Sequence, residues 1–374
     1  MANENLSKAK SAKNDEFYTQ YHDIENEINA YLDYDPDVFR GKTVLLPCDA
    51  DWSQFMLFFA QKFHTLGLKK LVATCIAPAS VGGAITHEPT RRVAESARYD
   101  EALSRTRGMM FTLDRDVDGD GIIDHKDIEW QYLEGDGDFR SDEVTRLRDQ
   151  ADIIVTNPPF SLFREFMAWL IEAQKRFLII GNMNAITYKE VFPLIKDNLV
   201  WLGATIHSGD REFEVPEEYP LEAAGWRIDE KGNKYICVKG VRWFANIDHG
   251  LRHQPLQLMT KAQNLRFSKH DDLRGKTEYD HYDNYDAIEV PYTDVIPSDY
   301  EGIMGVPISF LDKYCPEQFE ILGITQRNDD PHKTKKYTTE QYSNANDLNA
   351  RGVIIKDGVP KSMYARILIR KIKQ

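Results

Sequence analysis

The sequence has no long apolar run and few cysteines. No stretch of its 374 residues approaches the roughly eighteen unbroken apolar residues that a membrane helix needs, and the polar first residues lack the apolar core of a signal peptide. The four cysteines, Cys48, Cys75, Cys237 and Cys315, lie far apart, which excludes the spacings of zinc and redox motifs. We therefore expect a cytoplasmic protein without a membrane partner, in which the four thiols are buried.

Positive charge is outweighed by negative charge, since 47 Lys and Arg residues stand against 60 Asp and Glu residues and the net charge is −13. Affinity for DNA comes largely from Lys and Arg side chains that neutralise phosphates, so this balance speaks against a nucleic-acid partner. The local field of a binding face matters more than the net charge, however, and two segments are basic. The first contains Lys261, Arg266, Lys269, Arg274 and Lys276, and the second contains Arg351, Lys356, Lys361, Arg366, Arg370, Lys371 and Lys373 against one acid, Asp357. Either segment fits DNA binding or a solvated face.

Strand-like and helix-like patterns alternate in the first half of the chain. Strands are predicted at 43–47, 70–76, 109–113, 128–133, 151–156, 177–180 and 199–206. Helices are predicted at 16–32, 53–66, 91–105, 163–174 and 188–196, with Ser53 as the N-cap of the second. Strand, helix and strand in quick succession form a βαβ unit, which seeds a parallel sheet. We therefore predict a flexible arm over 1–15, a doubly wound α/β domain over 16–208 and a second lobe over 209–374.

The segment Asn157-Pro158-Pro159-Phe160 carries the chemistry. It follows an apolar strand, and the carboxyl ends of strands are where open α/β sheets bind their ligands. The two prolines fix φ and remove two N–H donors, which leaves the Pro158 carbonyl as a rigid acceptor. With the Asn157 side-chain oxygen, it can accept both hydrogens of an amino group and so direct the lone pair of that amine towards a methyl donor. Phe160 can stack on a planar base. The alternative is a plain turn after a strand.

The chain as a whole resembles a known family. The Asn-Pro-Pro-aromatic signature resembles that of the amino-methyltransferases. Further segments, from 13–19 through 47–55 and 239–244 to 305–312, are similar to the EcoRI-type adenine-specific DNA methyltransferases. The resemblance implies a Rossmann-like class I methyltransferase domain that binds S-adenosylmethionine, followed by a C-terminal target-recognition lobe that binds double-stranded DNA. It implies methylation of the N6 amine of an adenine flipped out of the duplex, and a cognate restriction endonuclease as a possible partner.

The same resemblance assigns cofactor residues. It implies that Phe17, Tyr18 and Thr19 line the methionine end of the cofactor, and that the turn after the first strand meets it through Cys48, Asp49, Asp51 and Ser53. Asp136 or Asp138 is expected near the adenine of the cofactor, and Asn157 belongs to the same site. The sequence departs from the general methyltransferase pattern in two places, because no Gly-rich loop follows the first strand and no acidic residue ends the second. Helix capping is the alternative role for Asp49 and Asp51.

The segment 116–127 has the spacing of a calcium loop. Carboxylates stand at positions 1, 3, 5, 9 and 12, glycine at 6, and a backbone carbonyl is expected at 7. The predicted ligands are Asp116, Asp118, Asp120, Ile122, Asp124 and Asp127. Five crowded carboxylates repel one another without a cation, which favours structural Ca²⁺ over a solvated acidic turn. The strand-like flanks speak against a paired EF-hand.

DNA contacts are predicted in the second lobe. Lys239, Arg242, Trp243 and Asn246 combine the basic, aromatic and amide groups that serve phosphates, base faces and adenine edges. The alternative is a core strand with a partly buried arginine. For the protein as a whole, two other functions compete with DNA methylation: an RNA or protein amino-methyltransferase that uses the same motif, and a catalytically silent DNA-binding module that keeps the fold.

Overall fold

The computed structural model describes residues 19–81, 89–207, 210–215, 221, 225–326 and 330–373. The chain folds into two compact units, each built from two separate stretches of the sequence. Within the described residues, unit 1 runs to Ala185 and resumes from Leu202 to His249, and unit 2 comprises Ile186–Trp201 and the chain from Gly250 onward. No helix among the described residues is long and apolar enough to cross a membrane.

An eight-stranded sheet forms the framework of unit 1. Its strands are β1 Thr43–Leu46, β2 Lys70–Cys75, β3 Met109–Leu113, β4 Glu129–Tyr132, β5 Ile153–Thr156, β6 Arg176–Asn182, β7 Trp201–Leu202 and β11 Val241–Ala245. Their order is β4-β3-β2-β1-β5-β6-β11-β7. The four central strands β2, β1, β5 and β6 are parallel, whereas β3 and β11 run antiparallel to their neighbours. The predicted α/β fold class is confirmed.

Helices flank these strands. They are α1 Tyr21–Tyr34, α2 Gln54–Gln61, α3 Phe63–Leu66, α4 Arg91–Ala94, α5 Glu101–Thr106, α6 Asp142–Gln150 and α7 Phe163–Glu172. Ser53 caps α2 by accepting a hydrogen bond from the Met56 amide, as the sequence predicts. Gly67 ends α3 in the left-handed region at φ +63°, a conformation that costs glycine little. Strand β5 is buried at all four positions, as expected of a parallel strand covered on both faces.

A small antiparallel sheet completes unit 1. It is formed by β8 Asp210–Val215, β9 Trp226–Ile228 and β10 Lys234–Lys239 in the order β8-β10-β9. Strand β11 follows β10 after a single residue, Gly240, at φ +71°, and then pairs with β6. The unit therefore extends well past the predicted boundary at 208/209, because the large sheet takes a strand from residues 241–245.

Unit 2 is built on a separate four-stranded sheet. Its strands are β12 Ala287–Glu289, β13 Ile303–Pro307, β14 Phe319–Ile324 and β17 Arg366–Lys371, in the order β12-β13-β17-β14. A hairpin of β15 Val353–Lys356 and β16 Val359–Ser362 projects from the chain before β17. The helices are short: α8 Phe192–Lys196, α9 Lys261–Phe267 and α10 Ala345–Ala350.

Some predicted elements differ from the observed ones. The predicted helix 91–105 is divided into α4 and α5, because Asp100 caps a new helix with its carboxylate. The predicted strand 199–206 has only two residues in β7, and the predicted helix 188–196 is confined to α8. The prediction of four buried thiols is wrong for Cys48, Cys75 and Cys237, which are half-buried, and right for Cys315.

Candidate active site

The turns that follow β1 and β5 lie at one edge of the large sheet. The two strands are parallel neighbours, so their carboxyl ends coincide. The turn after β1 carries Asp49 and Asp51, and the turn after β5 begins with Asn157. This is the edge at which parallel α/β sheets hold ligands. The structure thus brings together two groups of residues that are about a hundred positions apart in the sequence.

A buried hydrogen bond joins the two turns directly. The Thr156 hydroxyl donates to Oδ2 of Asp49 over 2.7 Å, and the Asp49 backbone amide donates to the Thr74 carbonyl over 3.0 Å. Asp49 is only 7% exposed. Burial raises its pKa to about 6, although the hydrogen bonds from Thr156 and Ser53 act in the opposite direction. The last residue of β5 therefore fixes an acid in the turn after β1.

Asp51 is held by a different partner. Its Oδ2 accepts a 2.6 Å hydrogen bond from the Thr90 hydroxyl. Burial raises the pKa of Asp51, while that hydrogen bond and the nearby charge of Arg92 lower it. The capping of α2 belongs to Ser53, so the alternative role of Asp49 and Asp51 as caps of that helix is not needed.

The loop after β4 reaches the same edge. Strand β4 runs parallel to β2 because each is antiparallel to β3. The Asp136 carbonyl accepts a hydrogen bond from the Ala77 amide over 2.7 Å, and the Asp136 carboxylate accepts one from the Ser80 hydroxyl over 2.7 Å. Asp138 is instead paired with Arg140 at 2.6 Å, which lowers the pKa of its carboxyl. Asp136 is therefore bonded to the segment just beyond β2, whereas Asp138 is held by Arg140.

Gly137, in the same loop, packs against the end of β2. Its φ is +83°, and a Cβ atom at this position would lie 2.4 Å from the Cys75 carbonyl oxygen. Only glycine tolerates both the conformation and the close approach. Gly137 was not among the predicted site residues, although the Gly-Asp-Gly-Asp pattern around it is a signal for a tight loop.

The Asn-Pro-Pro-Phe segment forms the expected turn. Pro158 is buried, whereas Asn157, Pro159 and Phe160 are half-buried. The turn closes through the Leu162 amide, which donates to the Pro159 carbonyl over 3.0 Å. Helix α7 then begins at Phe163. The motif therefore stands between a fully buried strand and an amphipathic helix, at the sheet edge that carries Asp49.

Thr19 is the one member of the predicted N-terminal motif that can be described. Phe17 and Tyr18 lie outside the described residues. Thr19 is buried, and its hydroxyl oxygen has no hydrogen-bond partner among the described residues. A buried hydroxyl without a partner costs free energy unless a ligand bonds to it, so Thr19 fits a ligand-binding role. Nearby, Tyr21 at the start of α1 contacts α2, since its hydroxyl donates to Gln61 over 2.9 Å.

The predicted DNA contacts of β11 and its flanks need correction. Trp243 is 1% exposed and packs edge-on against Phe55, with 6.1 Å between ring centroids. Arg242 is buried and donates to the Val241 and His207 carbonyls. Asn246 holds the start of β6 by accepting from the Phe177 amide and donating to the Lys175 carbonyl. These three residues support the core of unit 1, and only Lys239 is exposed. The alternative of a core strand is the better description.

The acidic loop gathers only part of its predicted ligand set. Carboxylate oxygens of Asp116, Asp118 and Asp120 lie within 4.8 Å of one another. Asp127 is buried and turns towards the backbone, where it accepts from the amides of Val117, Asp118 and Asp124. Those hydrogen bonds lower the pKa of Asp127. The Asp124 carboxylate caps a short turn, and the Ile122 side chain is exposed.

Comparison with known proteins gives a consistent result. The family model described as adenine-specific methyltransferase EcoRI matches residues 5–372. The type II methyltransferase M.EcoRI of Escherichia coli is 43% identical over 329 residues, which cover 88% of this chain and 91% of that protein. M.MpnI of Mycoplasma pneumoniae and M.MgeORF184P of Mycoplasma genitalium, both type II methyltransferases, are 33% and 32% identical and cover 98% of each chain. No solved structure gives a significant match.

Proposed function

This chain belongs to the family of adenine-specific EcoRI methyltransferases, and from that membership we propose that it methylates the N6 amine of an adenine within one recurring sequence of double-stranded DNA. The observation that carries the proposal is the position of Asn157. It follows the buried strand β5 at the edge where Thr156 donates to Asp49, so the amine-binding turn and the acidic turn after β1 belong to one site.

The chemistry rests on orientation and hydrogen-bond acceptors. The Asn157 side-chain oxygen and the Pro158 carbonyl would accept the two hydrogens of the adenine amine. Phe160 would stack on the base after the base leaves the helix. S-adenosylmethionine, when bound, supplies the electrophilic methyl group. No base is required before attack, because the amine becomes acidic only after alkylation; placement of the acceptors lowers the barrier.

The cofactor would be held by residues at the same edge. Asp49 and Asp51 offer buried carboxylates to a ligand that carries positive charge and hydroxyls, Ser53 and Cys48 flank them, and Thr19 offers a buried hydroxyl. Asp136 would face the adenine end. Phe17, Tyr18 and Asp138 complete the assignment made from the sequence. The carboxylates and hydroxyls fit this ligand chemistry, although the usual Gly-rich loop is absent.

The proposal is tested by expression in a host that lacks adenine methylation, followed by sequencing that reads modified adenines directly. We expect methylated adenines in one recurring sequence for the wild type and none for Asn157→Ala. Asn344→Ala is the matched control, because Asn344 is exposed and makes no side-chain capping bond. Purified Asn157→Ala protein should still be stabilised against heat by S-adenosylmethionine.

Two outcomes would redirect the proposal. If the wild type leaves DNA unmodified but still binds S-adenosylmethionine, the methyl acceptor would be an amine of RNA or protein. If the wild type leaves DNA unmodified and binds DNA, but S-adenosylmethionine does not raise its melting temperature, the protein is a silent DNA-binding module. Since its relatives are named type II methyltransferases, we also propose a cognate restriction endonuclease of the same sequence specificity, and action in the cytoplasm, where bacterial DNA lies.

For the acidic loop we propose a structural Ca²⁺ bound by Asp116, Asp118 and Asp120, with the Ile122 carbonyl and Asp124 as further ligands. Three clustered carboxylates support it; Asp127 would act indirectly, by holding the loop backbone. We expect Ca²⁺ to raise the melting temperature of the wild type and not that of Asp118→Asn. Glu340→Gln, at an exposed acid elsewhere, should respond like the wild type. If Ca²⁺ does not change the melting temperature of the wild type, the segment is a solvated acidic turn without bound metal.

A further inference from the structure

The basic segment that begins at Arg351 is mostly neutralised within unit 2. Four of its cations form ion pairs: Arg351 with Asp347, Arg366 with Glu289, Arg370 with Glu320 and Lys373 with Glu301. A fifth, Lys371, donates to the Ser298 carbonyl. Lys356 and Lys361 differ, because within the described ranges their ammonium groups form neither an ion pair nor a hydrogen bond. These two lysines are therefore available to an external anion.

Both lysines lie on one face of the β15–β16 hairpin. In the antiparallel register Ile354 stands opposite Lys361, and Lys356 stands opposite Val359. Residues two apart on a strand share a face, so Lys356, Val359 and Lys361 point to the same side. Lys356 and Lys361 are diagonal neighbours, with Cα atoms roughly 7–8 Å apart. Two cations at that spacing can contact neighbouring phosphates of one strand.

The base of the hairpin is firmly anchored. Val353 packs in a buried cluster with Tyr337, Ala345 and Leu348, and Ile354 packs in another cluster that contains Tyr282. The Asn284 side chain accepts from the Val353 amide and donates to the Arg351 carbonyl. A hairpin held on both faces presents its tip with little conformational freedom to lose on binding.

The tip itself is open and partly apolar. Its two-residue turn, Asp357-Gly358, has φ angles of +53° and +78°, as a type I′ turn requires. Ile355 is 49% and Val359 is 62% exposed. Exposed apolar side chains that flank two unneutralised lysines at the end of a rigid ribbon are suited to a partner with both an anionic and an apolar surface. Duplex DNA offers phosphates at the groove rim and apolar sugar and base edges inside, and the groove admits a two-stranded ribbon.

We propose that the tip of this hairpin, residues 355–361, enters a groove of the duplex DNA substrate, with Lys356 and Lys361 on phosphates and Val359 against the groove interior. The inference deepens the proposed function and rests on its substrate, double-stranded DNA. It assigns substrate contact to two of the seven basic residues of the C-terminal segment and denies it to the other five, which are ion-paired or, for Lys371, hydrogen-bonded.

The test is equilibrium binding of the full-length protein to a fluorescent mixed-sequence duplex at several salt concentrations. For Lys356→Gln/Lys361→Gln we expect the slope of log affinity against log salt to become less steep by about one to two, because each lost phosphate contact removes about one released counterion. Arg370→Gln/Lys373→Gln is the matched control, since it removes the same charge from the same segment and should keep the wild-type slope. Val359→Ser should weaken binding by about three- to tenfold without changing the slope.

A second readout uses the unaltered protein. An amine-reactive label should modify Lys356 and Lys361 less when the duplex is present, and Lys373 equally in both conditions. Equal slopes for the two double variants, or no protection of the two lysines, would overturn the proposal. These outcomes are separable from the proposed function. If the protein methylates adenine but the hairpin variants bind DNA like the wild type, the proposed function stands and the hairpin contact is wrong. If DNA protects the two lysines but no adenine is methylated, the hairpin contact stands and the proposed function is wrong.

Discussion

The hydroxyl of Thr156 donates a 2.7 Å hydrogen bond to the buried carboxylate of Asp49. This bond connects the last residue of β5, which immediately precedes Asn157, with the turn after β1. Because burial raises the pKa of Asp49 to about 6, the ionisation of this acid falls near the working pH of many enzymes. The charge of the turn after β1 and the position of the turn that begins with Asn157 are therefore coupled through a single hydroxyl.

Thr156→Val tests the coupling. Val keeps the shape of Thr but removes the donor, so the pKa of Asp49 should rise above the wild-type value of about 6. We expect kcat/KM for DNA to fall roughly threefold to tenfold near pH 8, and the acid limb of its pH profile to move to higher pH. Steady-state methylation assays from pH 5.5 to 9 measure both, with Thr156→Ser, which keeps the hydroxyl, as the control. An unshifted acid limb in Thr156→Val would rule out the coupling.

Asp49→Asn should stabilise the protein at high pH while it weakens cofactor binding. The folded pKa of about 6 exceeds the unfolded value of 3.8, so the folded state binds the extra proton and stability falls as the pH rises between these values. Asn carries no such penalty and still accepts from Thr156. We expect a gain of about 3 kcal/mol at pH 8 that disappears below about pH 4, measured by unfolding without cofactor. A variant less stable than the wild type at pH 8 would contradict the sign.

Gly137→Ala should damage the loop after β4. The new Cβ would meet the Cys75 carbonyl at 2.4 Å, and φ +83° is strained for alanine. We expect a loss of about 2–4 kcal/mol in the free energy of unfolding and weaker binding of S-adenosylmethionine, measured by denaturant unfolding and calorimetry. Gly135→Ala is the control two residues away, where the nearest contact is Glu143 at 4.0 Å. Comparable losses in both variants would show that the loop is not tightly packed.

Glu27 should prove essential to unit 1. Its fully buried carboxylate accepts from the Ala204 and Thr205 amides and the Thr205 hydroxyl, and burial raises its pKa. Glu27→Ala leaves these donors buried without an acceptor. We therefore expect the free energy of unfolding, measured with denaturant, to fall by about 3 kcal/mol or more. Glu25→Ala, which removes an exposed partner of Lys62, should cost less than about 1 kcal/mol. A mild effect at Glu27 would mean that water replaces the carboxylate.

Trp243→Leu separates the two descriptions of β11. Because Trp243 is a core residue, we expect Trp243→Leu to lower the free energy of unfolding by about 2–4 kcal/mol. The DNA affinity of the folded protein should stay unchanged. Lys239→Gln, at the exposed last residue of β10, should leave stability within about 0.5 kcal/mol. Denaturant unfolding and DNA titration measure the two quantities. Loss of DNA affinity without loss of stability in Trp243→Leu would restore the original prediction.

The sequence was most informative where a local pattern determines a local structure. Ser53 was correctly predicted to cap a helix, and the βαβ unit around it correctly indicated a parallel sheet, because capping and hydrophobic period act over a few residues. The Asn157 turn was recognisable for the same reason. The partners of that turn were not: the bond from Thr156 to Asp49 joins positions over a hundred residues apart, and no periodicity encodes such a contact.

The errors have a common physical cause. Arg242, Trp243 and Asn246 are side chains that serve DNA recognition and core packing equally well, and composition alone does not distinguish the two. The antiparallel pairing of β11 with β6 buries Arg242 and Trp243. Asn246, just past the strand, is half-buried and bonds to the backbone at the start of β6. The same long-range pairing moved the end of unit 1 past residue 208. Likewise the basic C-terminal segment could be seen in the sequence, but only the ion pairs and hydrogen bonds of unit 2 show that Lys356 and Lys361 lack such partners within the described residues.

Strand β11 is synthesised more than fifty residues after β6, the strand with which it pairs, and this order has a consequence during translation. Strand β6 offers the apolar run Phe177–Ile180 at its outer edge until residues 241–245 exist to pair with it. A growing chain that has emerged only as far as β7 therefore presents an unpaired, hydrophobic edge, which can recruit a strand from another nascent chain. Chains halted before residue 245 should accordingly aggregate, so expression yield would depend on steady translation through this stretch of the message.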